Sequence, residues 1–514
     1  MLLSALVEAT DAVAATRSRL AKVAALAPML RALAPDEIVP AVGLLTARPR
    51  QGRIGVGWRG MAAVADQHAA VATLTVRDVD DALSLLAGAQ GPGSVTTRRD
   101  ALAALAARAT TVEWDFLVRV VTGQLRTGAL EGVLLDAITT AAERDAATVR
   151  RAAMLSGDLG ETARIALAEP VEALAEVGLR VGRPVLPMLA GTAASTDDAL
   201  AQIGGDASVE YKLDGARIQV HRRGDEIAVY TRSLAEITDR VPEIVEVVRA
   251  LPVHEAILDG ETLALDDDGG PRAFQDTMAR FGSEADPAIA LRPWFFDVLH
   301  VDGRDLVDEP LRVRRAELDR IAGPWRMPGE ITADAAVAAA ISRRALAARH
   351  EGVMVKAADS PYTAGRRGKG WLKVKPVLTF DLVVLAVEWG SGRRTGQLSN
   401  LHLGARDERG EFGEAGAFVM VGKTFKGLTD DLLRWQTVHF PTIETHRSAW
   451  AVHVEPSTVV EIAIDGVQRS TRYPGGVALR FARVKGYRPD KAAREADTIA
   501  ALRALLPSAA DAPA

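Results

Sequence analysis

Ten of the 62 basic residues in this 514-residue chain are lysines, and nine of those ten lie after residue 211. Arginine supplies positive charge almost everywhere else. A lysine kept in such a chain is a candidate for chemistry that a guanidinium cannot perform, because only an amine readily loses its proton and attacks an electrophile. The stretch Glu210-Tyr211-Lys212-Leu213-Asp214-Gly215-Ala216-Arg217 lies between two segments of alternating apolar residues. Gly215 permits a tight turn there, so Lys212 and Arg217 can face one pocket.

The elements that must position these residues follow from periodicity. Residues 1–190 are rich in Ala and Leu at helical spacing, as in Asp100–Arg108 and Asp115–Gly128, with one short β-like stretch at Ile54–Val56. The turn-rich run from Gly182 to Thr192 ends this region. From 191 the period becomes two: Val209–Leu213, Arg217–Arg222, Ile227–Arg232, Ala256–Leu265, Trp294–Val301 and Gly352–Ala357 are predicted strands, and Ala333–Arg349 a helix. Gly224-Asp225 is a hairpin turn, and the acidic triplet 266–268 reads as a turn too. From 377 to 507, strands at Phe380–Trp389, Leu401–Arg406, Ala417–Val421 and Val459–Ile464 suggest a small β-barrel. Residues 508–514 form a frayed tail. The reading is a multi-domain chain: all-α at 1–190, α+β at 191–376, all-β at 377–507.

Composition narrows the function classes. With no cysteine, disulfides, thiolate zinc sites and cysteine nucleophiles are excluded. Nothing resembles a secretory leader or a membrane span, so a cytoplasmic protein is expected. Net charge is -5, yet Tyr362–Pro376 holds five basic residues and no acid, and Arg469–Arg494 holds eight against Asp490 alone. Such concentration points to a polyanion met at particular surfaces.

The Lys212 segment is followed in order by Thr231-Arg232-Ser233, Leu258-Asp259-Gly260-Glu261, Phe295-Phe296-Asp297-Val298, Glu351 through Lys356, Trp371-Leu372-Lys373-Val374-Lys375 and Arg488-Pro489-Asp490-Lys491. This ordered set resembles the nucleotidyltransferase motifs of the ATP-dependent DNA ligases. Phe116–Gly128 and Arg183–Ala190 are similar to stretches of the helical DNA-binding domain of three-domain ligases and of the segment leading out of it. Ala482 and His300 depart from the family pattern, where proline and tyrosine are frequent.

The resemblance implies a helical DNA-binding domain, an adenylylation domain and an OB-fold barrel that close around nicked duplex DNA as a monomer. Lys212 would take AMP from ATP as a phosphoramidate and pass it to a 5′-phosphate; neighbouring cations would favour the reactive amine. Glu261 and Glu351 are hard oxygen donors suited to Mg²⁺. Phe296 and Met354 would flank adenine. Glu210 can accept from the adenine amine but would repel the guanine carbonyl, favouring ATP over GTP. Arg217, Arg232, Glu261, Arg367, Lys373 and Lys375 would complete the nucleotide contacts, with Asp214 and Asp259 as polar supports. Arg488 and Lys491 would orient the pyrophosphate, which requires a hinge near Lys375–Phe380. An NAD-dependent ligase would need a cysteine zinc module, and a capping guanylyltransferase would lack the helical region. An RNA ligase and a non-catalytic nucleic-acid-binding protein are the remaining rivals.

Overall fold

The computed structural model describes residues 1–506 except 65–67, 126–129, 267–268, 273, 282–289 and 365–366. The expected tail at 508–514, part of the acidic triplet, and Arg126–Gly128 therefore lie outside the described residues.

Helices dominate the first third, from Leu3–Ala15 to Leu159–Ala168. Their starts are set locally. Thr75 with Asp78, and Thr110 with Glu113, form reciprocal capping boxes at the heads of Val76–Gly88 and Thr111–Val121. The second helix ends at Val121, short of the predicted Gly128, because Gly123 takes a left-handed φ of 65°. Ile54–Val56 forms no strand; its apolar residues pack on the helical core instead, with Ile54 buried.

The central region contains β1 (Leu189–Thr192), β2 (Ala207–Lys212), β3 (Ala216–Arg223), β4 (Glu226–Thr231), β5 (Glu255–Ala264), β6 (Leu291–Val301), β7 (Arg304–Asp305), β8 (Gly329–Thr332), β9 (Gly352–Ala357) and β10 (Arg367–Val374). They form two sheets, ordered β1-β10-β9-β2-β8 and β4-β3-β5-β6-β7. The chain crosses from one to the other between Lys212 and Ala216. The basic stretch around 367–375, which has no clear alternation, is strand β10.

The C-terminal region is built on the long β11 (Leu378–Trp389), which pairs with β12 (Leu398–Arg406), β15 (Ala451–Val454) and β16 (Val459–Ile464). β13 (Phe418–Thr424) and β14 (Glu444–Arg447) extend its sheet, β17 (Gly466–Arg469) and β18 (Val477–Arg480) form a hairpin, and β19 (Arg483–Tyr487) pairs with β16. Helix Asp430–His439, which the sequence reading missed, lies between β13 and β14 in the chain, packs against β12 and is capped by Thr429.

The helical region is fastened behind the central sheets. Met154 and Leu155 are buried with Val185, Met188, Tyr362 and Trp371, and Arg151 donates to both oxygens of Asp308 at 2.5 and 2.7 Å. Among the described residues no helix is long and apolar enough to cross a membrane.

Candidate nucleotide-transfer site

Lys212 ends β2 and pairs with Gly352, the first residue of β9. The preceding Glu351 donates its backbone N–H to the Lys212 carbonyl at 3.0 Å, and its carboxylate accepts from Lys212 Nζ. Lys375 Nζ lies 3.8 Å from the other Glu351 oxygen. The sequence reading surrounded Lys212 with cations; the structure seats a carboxylate on the amine itself. Two glycines make this close approach possible. A Cβ on Gly215 would stand 2.3 Å from the Thr262 carbonyl oxygen, and one on Gly352 2.3 Å from that of Val374. A side chain at Gly215 would push the β2–β3 connection off β5, and one at Gly352 would push β9 off the end of β10.

The second sheet brings Glu261, which pairs in register with Arg217 on β3. Burial pushes the Glu261 carboxyl up to about 7; Lys212 and Arg217 pull it down, and Asp259 and Asp214 add to the rise. A carboxyl held near neutrality beside a candidate nucleophile can receive or release a proton at working pH.

Arg217 is heavily committed. Nε and Nη2 donate to Asp259 at 3.0 and 2.6 Å, Nη1 donates to the Met188 carbonyl at 2.6 Å, and Nη2 also reaches the Tyr362 hydroxyl at 3.3 Å. Tyr362 in turn donates to Asp259 at 2.8 Å. This network ties the site to the segment that leads out of the helical region, and Asp259 is the polar support expected.

The surroundings of Glu210 were only partly legible. Glu210 is buried; Ser208 Oγ donates to it at 2.6 Å and Lys356 Nζ lies 2.5 Å away. Lys356, also buried, sits 4.3 Å from the Phe296 ring centroid and 4.4 Å from that of Trp371. Its amine donates to the Phe296 carbonyl at 3.3 Å. Sequence reasoning assigned Lys356 no role. The available signal was its place two residues beyond Met354 on one strand, hence on the same face, in a chain that spares lysine. Met354 pairs with both Glu210 and Lys373, so Glu210, Met354 and Lys356 share one face of the first sheet, and Phe296 meets Lys356 from the second. Removing one partner of a buried ion pair is costly, since the other charge is stranded.

Arg232 is exposed, one residue past the Ile218–Thr231 pair, at the same sheet end as Arg217. Lys373 lies in β10 beside Met354. The side chain of Arg367 lies outside the described atoms. Arg488 and Lys491 are not brought to Lys212: both pair with Asp381 on β11.

Other C-terminal residues do reach the site. Arg480 Nη2 donates to Asp214 at 3.2 Å, with Nη1 on the second oxygen. Lys375 Nζ lies 2.7 Å from Asp465. The Arg480 guanidinium stacks 4.7 Å over Phe274, and Gln275 donates to the Arg469 carbonyl at 3.2 Å. Residues 375–377, between β10 and β11, form the connection across which this clasp acts.

Among the described residues no three His, Cys, Asp or Glu converge as a metal cluster. Magnesium, however, is commonly held by one or two carboxylates together with substrate phosphates, and the Glu261–Glu351 pair fits that donor set.

Three family models cover most of the chain. Residues 59–139 match the DNA ligase N terminus, 187–375 the ATP dependent DNA ligase domain, and 394–491 the ATP dependent DNA ligase C terminal region. A probable DNA ligase of Pseudarthrobacter chlorophenolicus is 65% identical over 506 residues, covering 98% of this chain and 100% of that protein. One from Rhodococcus jostii is 57% identical over 507 residues, covering 99% and 100%. The solved structure Pmar-Lig_PreS3 shares the fold with a TM-score of 0.62 at 18% identity, covering 94% of this chain and 99% of that one.

Proposed function

This chain belongs to the ATP-dependent DNA ligase family, whose members form phosphodiester bonds, and we propose that it seals nicked duplex DNA through a Lys212–AMP intermediate. The observation that carries this reading is Lys212 seated on the Glu351 carboxylate where the chain passes from one sheet to the other, with Glu261 brought to the same place by the second sheet. Lys212 Nζ attacks the ATP α-phosphorus, the bond to the bridging oxygen breaks, and pyrophosphate leaves. For that attack the ammonium first gives one proton to a neighbouring carboxylate, Glu351 or Glu261, and the new P–N adduct then gives a second to solvent. The DNA 5′-phosphate oxygen then takes the adenylate as the P–N bond breaks and the amine is reprotonated. Finally the 3′-hydroxyl oxygen, giving up its proton to solvent, attacks that phosphate, its P–O bond to AMP breaks and AMP departs. Mg²⁺, held by Glu261 and Glu351 with phosphate oxygens, would neutralise triphosphate charge.

Adenine would lie between Phe296 and Met354 and donate its amine to Glu210, which is paired with Lys356. Arg217, Arg232, Arg367, Lys373 and Lys375 complete the nucleotide contacts, Arg217 chiefly by fixing Asp259 and the strand that bears Glu261. Residues 1–190, 191–376 and 377–507 act as DNA-binding, adenylylation and OB-fold domains of a monomer in the cytoplasm. The Arg480–Asp214 and Lys375–Asp465 clasp presents the β17–β18 side of the last domain to Lys212. Arg488 and Lys491 therefore reach the pyrophosphate only after that domain turns about residues 375–377.

Incubating a nicked duplex with ATP, NAD, GTP or no nucleotide tests the reading. Sealing with ATP and an adenylate-sized mass gain on the Lys212 peptide are expected. Sealing of nicked RNA in preference to DNA would favour the RNA ligase, and the absence of any covalent adduct would favour a non-catalytic binder.

A further inference from the structure

Resting on the reading of Arg488 and Lys491 as the pair that meets pyrophosphate, we propose that Asp381 is a positioning residue that aims both cations as one fork. Asp381 lies in β11, just past the inter-domain connection, and its side chain is 10% exposed. Its carboxylate accepts from Lys491 Nζ and, at 3.3 and 3.4 Å, from Arg488 Nη1. The backbone around it is equally fixed. The Asp381 N–H donates to Asp497 Oδ2 at 2.7 Å, and the Asp497 N–H donates to the Asp381 carbonyl at 2.8 Å.

Residues 488–497 are thus stapled to one residue of β11 by side chains at one end and by backbone at the other. The Arg488 N–H donates to the Val459 carbonyl at 2.9 Å, and the Lys491 N–H closes a turn onto the Arg488 carbonyl at 3.1 Å. The outer edge of the Arg488 guanidinium is held by Asp490, through Nε at 2.9 Å and Nη2 at 2.7 Å. Long cationic side chains carry large rotamer entropy; here both converge on a single buried-edge carboxylate before any nucleotide is met. Every partner belongs to the C-terminal domain, so the fork survives a rigid turn of that domain and arrives with its geometry already set. Orientation paid in advance in this way acts on the chemical step more than on binding.

The test uses full-length Asp381→Asn and Asp381→Glu proteins with Lys491→Ala as reference. Single-turnover self-adenylylation with α-labelled ATP is measured across ATP concentrations, together with sealing of a pre-adenylated nick and thermal unfolding. Asp381→Asn should lower the saturated adenylylation rate about 10- to 100-fold with little change in the half-saturating ATP, leave pre-adenylated sealing within about twofold, and be partly restored by Asp381→Glu. Wild-type or faster adenylylation in Asp381→Asn, with Lys491→Ala impaired, would overturn the positioning role. So would equal loss of both steps with a lowered melting temperature and no restoration by glutamate, which would mark Asp381 as merely structural. If Lys491→Ala itself adenylylates normally, the underlying reading of the pyrophosphate pair falls instead.

Discussion

Replacing Glu261 by glutamine separates its charge from its shape. Burial holds the carboxyl near 7, against 4.5 for a free glutamate. If its ionised form takes the proton of Lys212, the adenylylation rate at sub-saturating Mg²⁺, where the metal does not hold the carboxyl ionised, should fall up to about tenfold per pH unit below 7, since at pH 6 roughly one-tenth of such a group is ionised. Glu261→Gln should remove that limb and reduce the rate at pH 8 by about 100-fold or more. The same displacement predicts the opposite effect on stability. Because the folded-state value lies above the unfolded one, ionisation opposes folding. Stability is lost as pH rises from about 4.5 to about 7 and is level beyond, a difference of up to about 3 kcal/mol. At pH 8 the glutamine variant should therefore be more stable than the wild type by about 1–3 kcal/mol. Single-turnover labelling with α-labelled ATP from pH 5.5 to 9, beside denaturant melts at pH 5 and 8, reads both effects. A level wild-type rate between pH 6 and 8, or an acid limb that persists in Glu261→Gln, would refute the proton-accepting role. A variant no more stable at pH 8 than at pH 5, relative to wild type, would refute the buried charge.

Lys212→Arg keeps the charge but removes the nucleophile, so no protein-bound label should form from α-labelled ATP; any adduct would move the covalent site elsewhere. Lys356→Met leaves Glu210 buried without its ion-pair partner, a change that costs about 3–5 kcal/mol. Without that partner the Glu210 side chain loses the contact that aims it, so discrimination between ATP and GTP in the labelling assay should shrink about tenfold and the melting temperature should drop. Arg480→Ala releases the partly exposed clasp on Asp214, worth about 1 kcal/mol. Sealing of a pre-adenylated nick should slow up to about fivefold while self-adenylylation is unchanged or faster; slower adenylylation alone would assign the clasp to the wrong step. Duplex binding measured between about 50 and 200 mM salt should weaken steeply, as phosphate contacts release counterions, and a salt-independent affinity would argue against an electrostatic interface.

Much of this molecule is written in local pattern. The switch from helical to two-residue period near 191 marked the passage from the helical region to the sheets, and Val459–Ile464 and Gly352–Ala357 were delimited to the residue because strand alternation and flanking glycines are near-neighbour properties. Lys212 was singled out by residue type, a scarce amine with chemistry that arginine lacks, together with its segment and the ordered motifs that follow it. What the chain could not announce depends on partners brought from far along it. The carboxylate on Lys212 comes from 139 residues away, and the lysine beside Glu210 from a strand that looks like core. The value near 7 at Glu261 arises chiefly from burial, a property of the folded surroundings, with Asp259 and Asp214 adding to it. Likewise β10 carries five basic residues in and around it and shows little alternation, yet it is a strand because its neighbours β1 and β9 supply its hydrogen bonds. Residue type decides which chemistry is available; only the fold decides which charges face one another and how dry they are, and those two quantities set where protons and phosphates can go.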